Sequence, residues 1–276
     1  MKSIRAIGLI GLLIPTCLGV ASPVSAEAVR VGGTGAAIAM LPQLFAAFDG
    51  GDAIKLDVIP SLGSTGGLRA LSDGVLDLAV SGRDLTAEER AKGLTVVASV
   101  RTPYVLVTSR PGENGLKSSA VAAMFGSPQA TWPDKMPVRI VLRPRSDSDS
   151  AVLAAAFPGM AAALEEARKR PDVPIAATDQ DNAETAERLP GSLAGATFTQ
   201  IKTEKRNLRF VAIDGVAPSL EGFESGAYPY TKTLYFVAPA KPRPAVERFI
   251  VFLGSVAGQA ALRAAGTLLV TGKREQ

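Results

Sequence analysis

Three short polar turns hold the residues best suited to chemistry: Gly33-Thr34-Gly35, Ser64-Thr65-Gly66-Gly67 and Ser146-Asp147-Ser148-Asp149-Ser150. Each follows a stretch with strand character and precedes one with helical character. Backbone N–H groups that open a helix, short hydroxyls and glycines that permit close approach together suit an anion. Arg83, in Ser81-Gly82-Arg83-Asp84, and Arg143, after the apolar run Val138–Leu142, add guanidinium groups able to grip an oxyanion with two bonds each. A single such turn is ordinarily a helix cap. Three of them, with two arginines, outline a donor cage for a tetrahedral oxyanion.

Other chemistries are excluded by composition. The 276 residues contain no histidine and one cysteine, Cys17. Ser-His-Asp and Cys-His catalysis and His-ligated metals are therefore ruled out, and thiolate sites go with Cys17 if its segment is removed. No cofactor motif is present, and an enzyme would have to work with lysine, carboxylate and hydroxyl groups alone.

The chain begins with Lys2 and Arg5, an apolar run from Ile7 to Val20, and small residues ending Val24-Ser25-Ala26. This three-part pattern predicts a secretory signal peptide over residues 1–26, cleaved after Ala26, and hence an exported protein. The remaining 250 residues carry 28 basic and 26 acidic side chains, a net charge of about +2. That balance gives no reason to expect nucleic acid or a membrane surface as partner.

The polar turns need a framework that brings them together. Ala28–Val31, Ile54–Val58 and Val75–Ser81 read as strands, separated by a helix with Ile38, Leu41, Leu44, Phe45 and Phe48 on one face and a shorter helix after Ser64. Successive strand, turn and helix units imply a parallel sheet with crossover helices, whose ligands sit at the strands' C-terminal ends. Thr86-Ala87-Glu88-Glu89 has capping-box spacing. Leu94–Val100 and Tyr104–Thr108 are further apolar runs, and Ser109-Arg110-Pro111-Gly112 breaks the pattern as a first crossing between lobes. Beyond it, Leu116–Phe125 predicts a helix, Val138–Leu142 a strand, and Ala151 onward a helix. Ala183–Leu189 predicts another helix, and Ala196–Ile201, Leu208–Ile213 and Thr233–Val237 predict strands. A long helix is expected from Ala245. Arg69, Trp132, Tyr230 and the run Lys202, Lys205, Arg206 have structural readings, as solvated or packed side chains.

With these motifs in place, the sequence resembles the phosphate-binding proteins that serve periplasmic ABC importers. The resemblance rests on GSTGG and LDLAVSGRDLT, on MFG and TWPDKMPVRIVLR with its following Ser/Asp turn, and on GAYPYTKTLYFV, in that order from about Val29 to about Val270. It implies an α/β fold of two lobes, each a mainly parallel sheet flanked by helices, that close on one dehydrated phosphate. Residues 27–109 and 232–276 would form lobe I and residues 110–231 lobe II. The ligand set the resemblance implies is Thr34 and the Gly35 amide, Ser64, Arg143, Ser146 and Ser148, with Arg145, Asp149 and Ser150 as an alternative register; Thr65 and Arg83 join the expected set from the donor-cage reading of the turns themselves. An ABC permease is the implied partner, the chain is expected to be a monomer, and no catalysis or cofactor is implied.

One position departs from the family pattern. Gly82 stands where the family has an aspartate. A carboxylate there only accepts hydrogen bonds, so it favours a protonated phosphate over sulfate. Selectivity then needs another acceptor, from Asp84, Asp147 or Asp149; Asp147 and Asp149 also read as caps of the next helix. The same substitution motivates a second reading, a binding-protein fold turned sensor or surface-interaction module with its ligand altered or lost. A third, a serine phosphatase with a lysine base, lacks any Ser-x-x-Lys arrangement at the polar turns.

Overall fold

The computed structural model describes residues 27–48 and 54–270; the predicted signal peptide and the Gly50-Gly51-Asp52 turn lie outside them. In chain order the elements are β1 (Glu27–Gly33), α1 (Gly35–Ile38), α2 (Met40–Ala47), β2 (Ile54–Ile59), α3 (Gly63–Ser72), β3 (Leu78–Ser81), α4 (Ala87–Ala91) and β4 (Leu94–Thr108). There follow β5 (Gly115–Leu116), α5 (Ser118–Gly126), β6 (Arg139–Val141), α6 (Ser148–Ala156), α7 (Met160–Arg168), α8 (Asp179–Arg188), β7 (Ser192–Thr197) and α9 (Phe198–Thr203). The chain closes with β8 (Arg209–Phe210), β9 (Ala212–Ile213), α10 (Leu220–Glu224), β10 (Thr231–Pro239), α11 (Pro244–Gly254), α12 (Val256–Ala264) and β11 (Leu268–Leu269).

The main sheet runs β2-β1-β3-β10-β4-β7-β6. β1 pairs in parallel with both β2 and β3, as the strand, turn and helix pattern predicts, and β6 pairs in parallel with β7. Between these parallel ends lie two long antiparallel strands, β4 and β10. The two apolar runs expected around Pro103 are one 15-residue strand. Residues Leu94–Pro103 pair with β10, whereas Tyr104–Val107 pair with β7. The change of partner therefore falls inside β4, several residues before Ser109-Arg110. An unbroken strand carries the crossing because Pro103 stands at the exchange of hydrogen-bond partners and leaves no N–H to satisfy.

Two large apolar cores flank this exchange. One gathers Val29, Val31, Leu41, Leu44, Phe236, Phe249 and Leu253, between the first strands and α1, α2, α11 and α12. The other gathers Tyr104, Phe125, Trp132, Ile140, Leu164 and Leu193 under α5 to α8. A smaller cluster, with Leu68, Leu71 and Val237, lies beneath α3 on the opposite face of the first sheet. Each half is a sheet covered on both sides, and the two cores account for a two-lobed molecule.

Several local expectations are corrected. Ala196–Ile201 is a strand only as far as Thr197, whose hydroxyl accepts the Gln200 N–H at 3.3 Å and turns the chain into α9. Leu208–Ile213 splits into β8, on β4, and β9, on β5. The single terminal helix is two, α11 and α12, bent by 79° at Ser255, whose extended backbone and hydroxyl cap start the second. Among the described residues no single helix is long and apolar enough to cross a membrane. Trp132 is buried and donates from its indole nitrogen to the Gly191 carbonyl at 3.0 Å, which fits its packing reading. Arg69 is solvated, its side chain 85% exposed.

Candidate ligand-binding site

The three polar turns lie at the C-terminal ends of β1, β2 and β6 and converge on the line where the lobes meet. Gly33 makes the first possible: its φ of 135° and a built Cβ only 2.0 Å from the Val80 carbonyl oxygen leave room for no side chain. It passes the chain to Thr34, buried, whose N–H bonds the Val80 carbonyl at 2.8 Å. Gly35 follows, pressed against the start of α8, and Gln180 donates to its carbonyl at 3.0 Å.

The second turn is tighter than the sequence suggests. Gly63 at φ 64° begins α3 directly, so Ser64-Thr65-Gly66-Gly67 form its first turn rather than a loop before it. The Ser64 hydroxyl accepts the Gly82 N–H at 2.9 Å, tying this turn to the end of β3. Thr65 is exposed and receives a long 3.4 Å contact from Arg83.

Arg83 faces another partner. Its guanidinium forms a bidentate pair with Glu89 at 2.8 and 2.9 Å. Glu89 also completes the Thr86 capping box of α4, and the Arg83 hydrogen bonds hold its carboxyl down at about 2. An arginine so engaged is a brace for the β3–α4 turn, and its charge is already neutralised. Asp84 is exposed, bonded to Arg90 at 2.6 Å and to the Leu85 N–H at 2.7 Å, and so is no acceptor for the cleft.

Arg143 is the buried guanidinium, 6% exposed. It donates to the Ala176 carbonyl and to Asp147 Oδ2, both at 2.6 Å, and lies 3.9 Å from Asp179. Its Nε is buried without an acceptor. Asp147 caps α6, accepting the Asp149 N–H at 2.8 Å, so it serves as cap and as counter-ion at once. Ser148 lies across from Gly82, where a built Cβ would stand 2.6 Å from its Oγ. Ser146 is exposed. In the alternative register, Arg145 pairs with Glu165 on the surface, while Ser150 bonds back to the Arg143 and Pro144 carbonyls.

Two charged groups in this cluster escaped sequence reasoning. Lys232, on β10, is 1% exposed and ion-paired with Asp149, 2% exposed. Its Nζ would lie 3.1 Å from a Cβ at Gly82, so lysine and Ser148 together fill the space an aspartate would need there. Burial pushes the Lys232 ammonium down to about 8, with Asp147 opposing and Arg143 adding to the push. A signal existed: Lys232 shares the parity of buried Leu234 and Phe236 in β10, so it points inward. Asp179 is the second, 4% exposed at the start of α8, its carboxyl raised to about 6 by burial. No signal separates it from Asp181, which shares the first turn of α8 and forms the capping box with Thr178.

The structure thus brings Ser64 and Ser148 onto Gly82, and links the Thr34-Gly35 turn to Arg143 through Asp179. It leaves Thr65 and Ser146 exposed and Arg83 committed to Glu89. Among the described residues no cluster of three or more carboxylates, cysteines or histidines forms a metal site.

Comparison with known proteins bears on the family and the fold. A sequence profile described as the PBP superfamily domain matches residues 20–256. None of the curated proteins matches the sequence. Among solved structures, a candidate phosphate ABC transporter substrate-binding protein with bound phosphate from Clostridium perfringens superposes with TM-score 0.73 at 16% identity, covering 89% of this chain and 100% of that one. A phosphate-binding protein from Stenotrophomonas maltophilia gives TM-score 0.63 at 14% identity, over 89% and 91% of the two chains. The reduced form of OxyR from N. meningitidis gives 0.60 at 10% identity, over 88% and 99%. At such identities the shared property is the two-lobed fold.

Proposed function

Because this chain belongs to the PBP superfamily, we propose that it is an exported solute-binding protein that captures phosphate or a related tetrahedral oxyanion between its lobes and delivers it to an ABC permease. One observation carries the reading. Arg143, buried with a free Nε donor, lies 3.9 Å from Asp179 at the α8 N-terminus, which presses on Gly35, and precedes the turn whose Ser148 faces Gly82. A guanidinium held there, among backbone amides and hydroxyls and away from water, supplies charge and directional donors to an anion at low dielectric. Binding is then a matter of closure, and no bond is made or broken. Lobe I would comprise residues 27–103 and 231–270 and lobe II residues 104–230, hinged on β4 and β10. The protein would act as a monomer in the periplasm.

The test is calorimetric titration with phosphate and with sulfate after unfolding and refolding to strip bound anion. Arg143→Ala should weaken binding at least a hundredfold, and unchanged affinity would remove Arg143 from the site. Arg83→Ala should leave affinity within about threefold, since Glu89 already holds that side chain.

A second reading has its own observation. Carboxylates of Asp147, Asp149 and Asp179 all lie in the cluster, and Gly82 has no room for the family's aspartate. This favours a sensor or interaction module whose ligand has changed. Its mark would be an absence of heat with either anion.

A further inference from the structure

The buried cluster holds more carboxylates than cations. Asp147 satisfies Arg143, and Asp149 satisfies Lys232. Asp179 is left over, 3.9 Å from Arg143 and without a close cation of its own. Its position is telling. A Cβ on Gly35 would stand 2.6 Å from Asp179 Oδ2 and 2.5 Å from Gln180 Oε1, so the carboxylate rests directly on the first polar turn, beside the Ala36 N–H. An oxyanion that reached both Arg143 and the Ala36 N–H of the first turn would meet the Asp179 carboxylate, which already lies against both.

Resting on the oxyanion reading above, we propose that Asp179 is the site's own competing anion: its carboxylate stands in for the ligand, holds α8 of one lobe against Gly35 of the other, and must be displaced or protonated before an oxyanion binds. Coulomb repulsion supplies the competition. A dianion brought beside an ionised Asp179 at low dielectric is opposed, and the opposition ends when the carboxylate is neutral or swung away. The charged and titratable groups facing Asp179 are Arg143 after β6, Asp147 at the N-cap of α6, Glu204 at the C-cap of α9 and Tyr104 on β4, with the Asp149–Lys232 pair in the same cluster. Burial, Asp147 and Glu204 push the Asp179 carboxyl upward, and Arg143 and the Ala36 N–H pull it down. Sulfate keeps its charge between pH 7 and pH 5, so its binding isolates the protein's own titration.

The experiment is calorimetric titration of the purified, anion-stripped protein with sodium sulfate and with inorganic phosphate, for the native chain and Asp179→Asn. The native protein should bind sulfate at least tenfold more tightly at pH 5 than at pH 7. Asp179→Asn should bind both anions at least tenfold more tightly than native at pH 7, with the pH dependence for sulfate gone. Native binding with an Asn variant that binds no tighter would overturn the proposal. Weaker phosphate binding by the variant would do so too, making Asp179 part of the cage. If the variant fails to fold, sulfate affinity of the native protein that is flat from pH 7 to pH 5 overturns it alone. No binding of either anion by either protein at either pH would instead overturn the oxyanion reading on which it rests.

Discussion

At the residue scale, the decisive feature is which charges are already spent. Arg83 and Arg143 are indistinguishable in sequence as basic residues at strand ends, yet Arg83 is part-exposed and paired with Glu89, whereas Arg143 is buried, paired with Asp147 and left with an unpartnered Nε. The Arg83–Glu89 pair makes a pH prediction. The Glu89 carboxyl, ordinarily near 4.5, is held at about 2 in the folded protein. Its contribution is thus present above pH 4.5 and is lost as pH falls toward 2. Glu89→Gln should lower stability by about 1–2 kcal/mol at pH 7, the pair being partly solvated, and by little near pH 2. Equal losses at both, in urea unfolding, would show that the pair contributes through shape rather than charge. Asp179 has the opposite sign. Its carboxyl is raised to about 6, so its ionised form burdens the folded state above that pH, and the burden lifts as pH falls through it. Asp179→Asn should therefore be no less stable than native at pH 7.

At the element scale, close packing of α3 on β1 brings the Ser64 turn to the cleft. A Cβ on Gly67 would stand 2.6 Å from the Gly33 Cα, backbone against backbone. Gly67→Ala should force α3 outward, cost about 1–3 kcal/mol and stretch the bond between Ser64 and the Gly82 N–H. Thermal unfolding together with anion affinity checks this; unchanged values for both would mean that α3 has slack the packing does not suggest. The capping boxes of α4 and α8 are the counterpart in fixing directions, since each sets where its first turn points.

At the scale of the whole molecule, β4 runs through both halves, and Lys232 stands on β10, its antiparallel neighbour, opposite Thr102. Its pair with Asp149 of α6 joins the strand to the second lobe with both partners buried. Lys232→Met would leave Asp149 buried and unpaired and should cost about 3–5 kcal/mol, whereas Lys232→Met with Asp149→Leu should recover most of it. Denaturant midpoints decide. If the double variant is as unstable as the single, the pair is not what its burial implies.

Much of this was legible in the sequence, because it depends on local pattern. Alternation and helical spacing gave β1, β2, β3 and the helices between them, and Thr86-Ala87-Glu88-Glu89 forms the cap its spacing predicts. The three polar turns were visible because glycine and short hydroxyls at a strand-to-helix junction form a local pattern, whether they cap the helix or meet a ligand. What only the tertiary structure decided concerns partners far apart in the chain. Lys232 meets Asp149 across 83 residues, and Gln180 meets Gly35 across 145. No local preference encodes such meetings, since a charged side chain has the same helix or strand propensity whether water, a ligand or another charge neutralises it. Which of several equivalent arginines and aspartates enters the cleft is fixed by the approach of the two lobes, and that approach is settled by the burial of two separate cores.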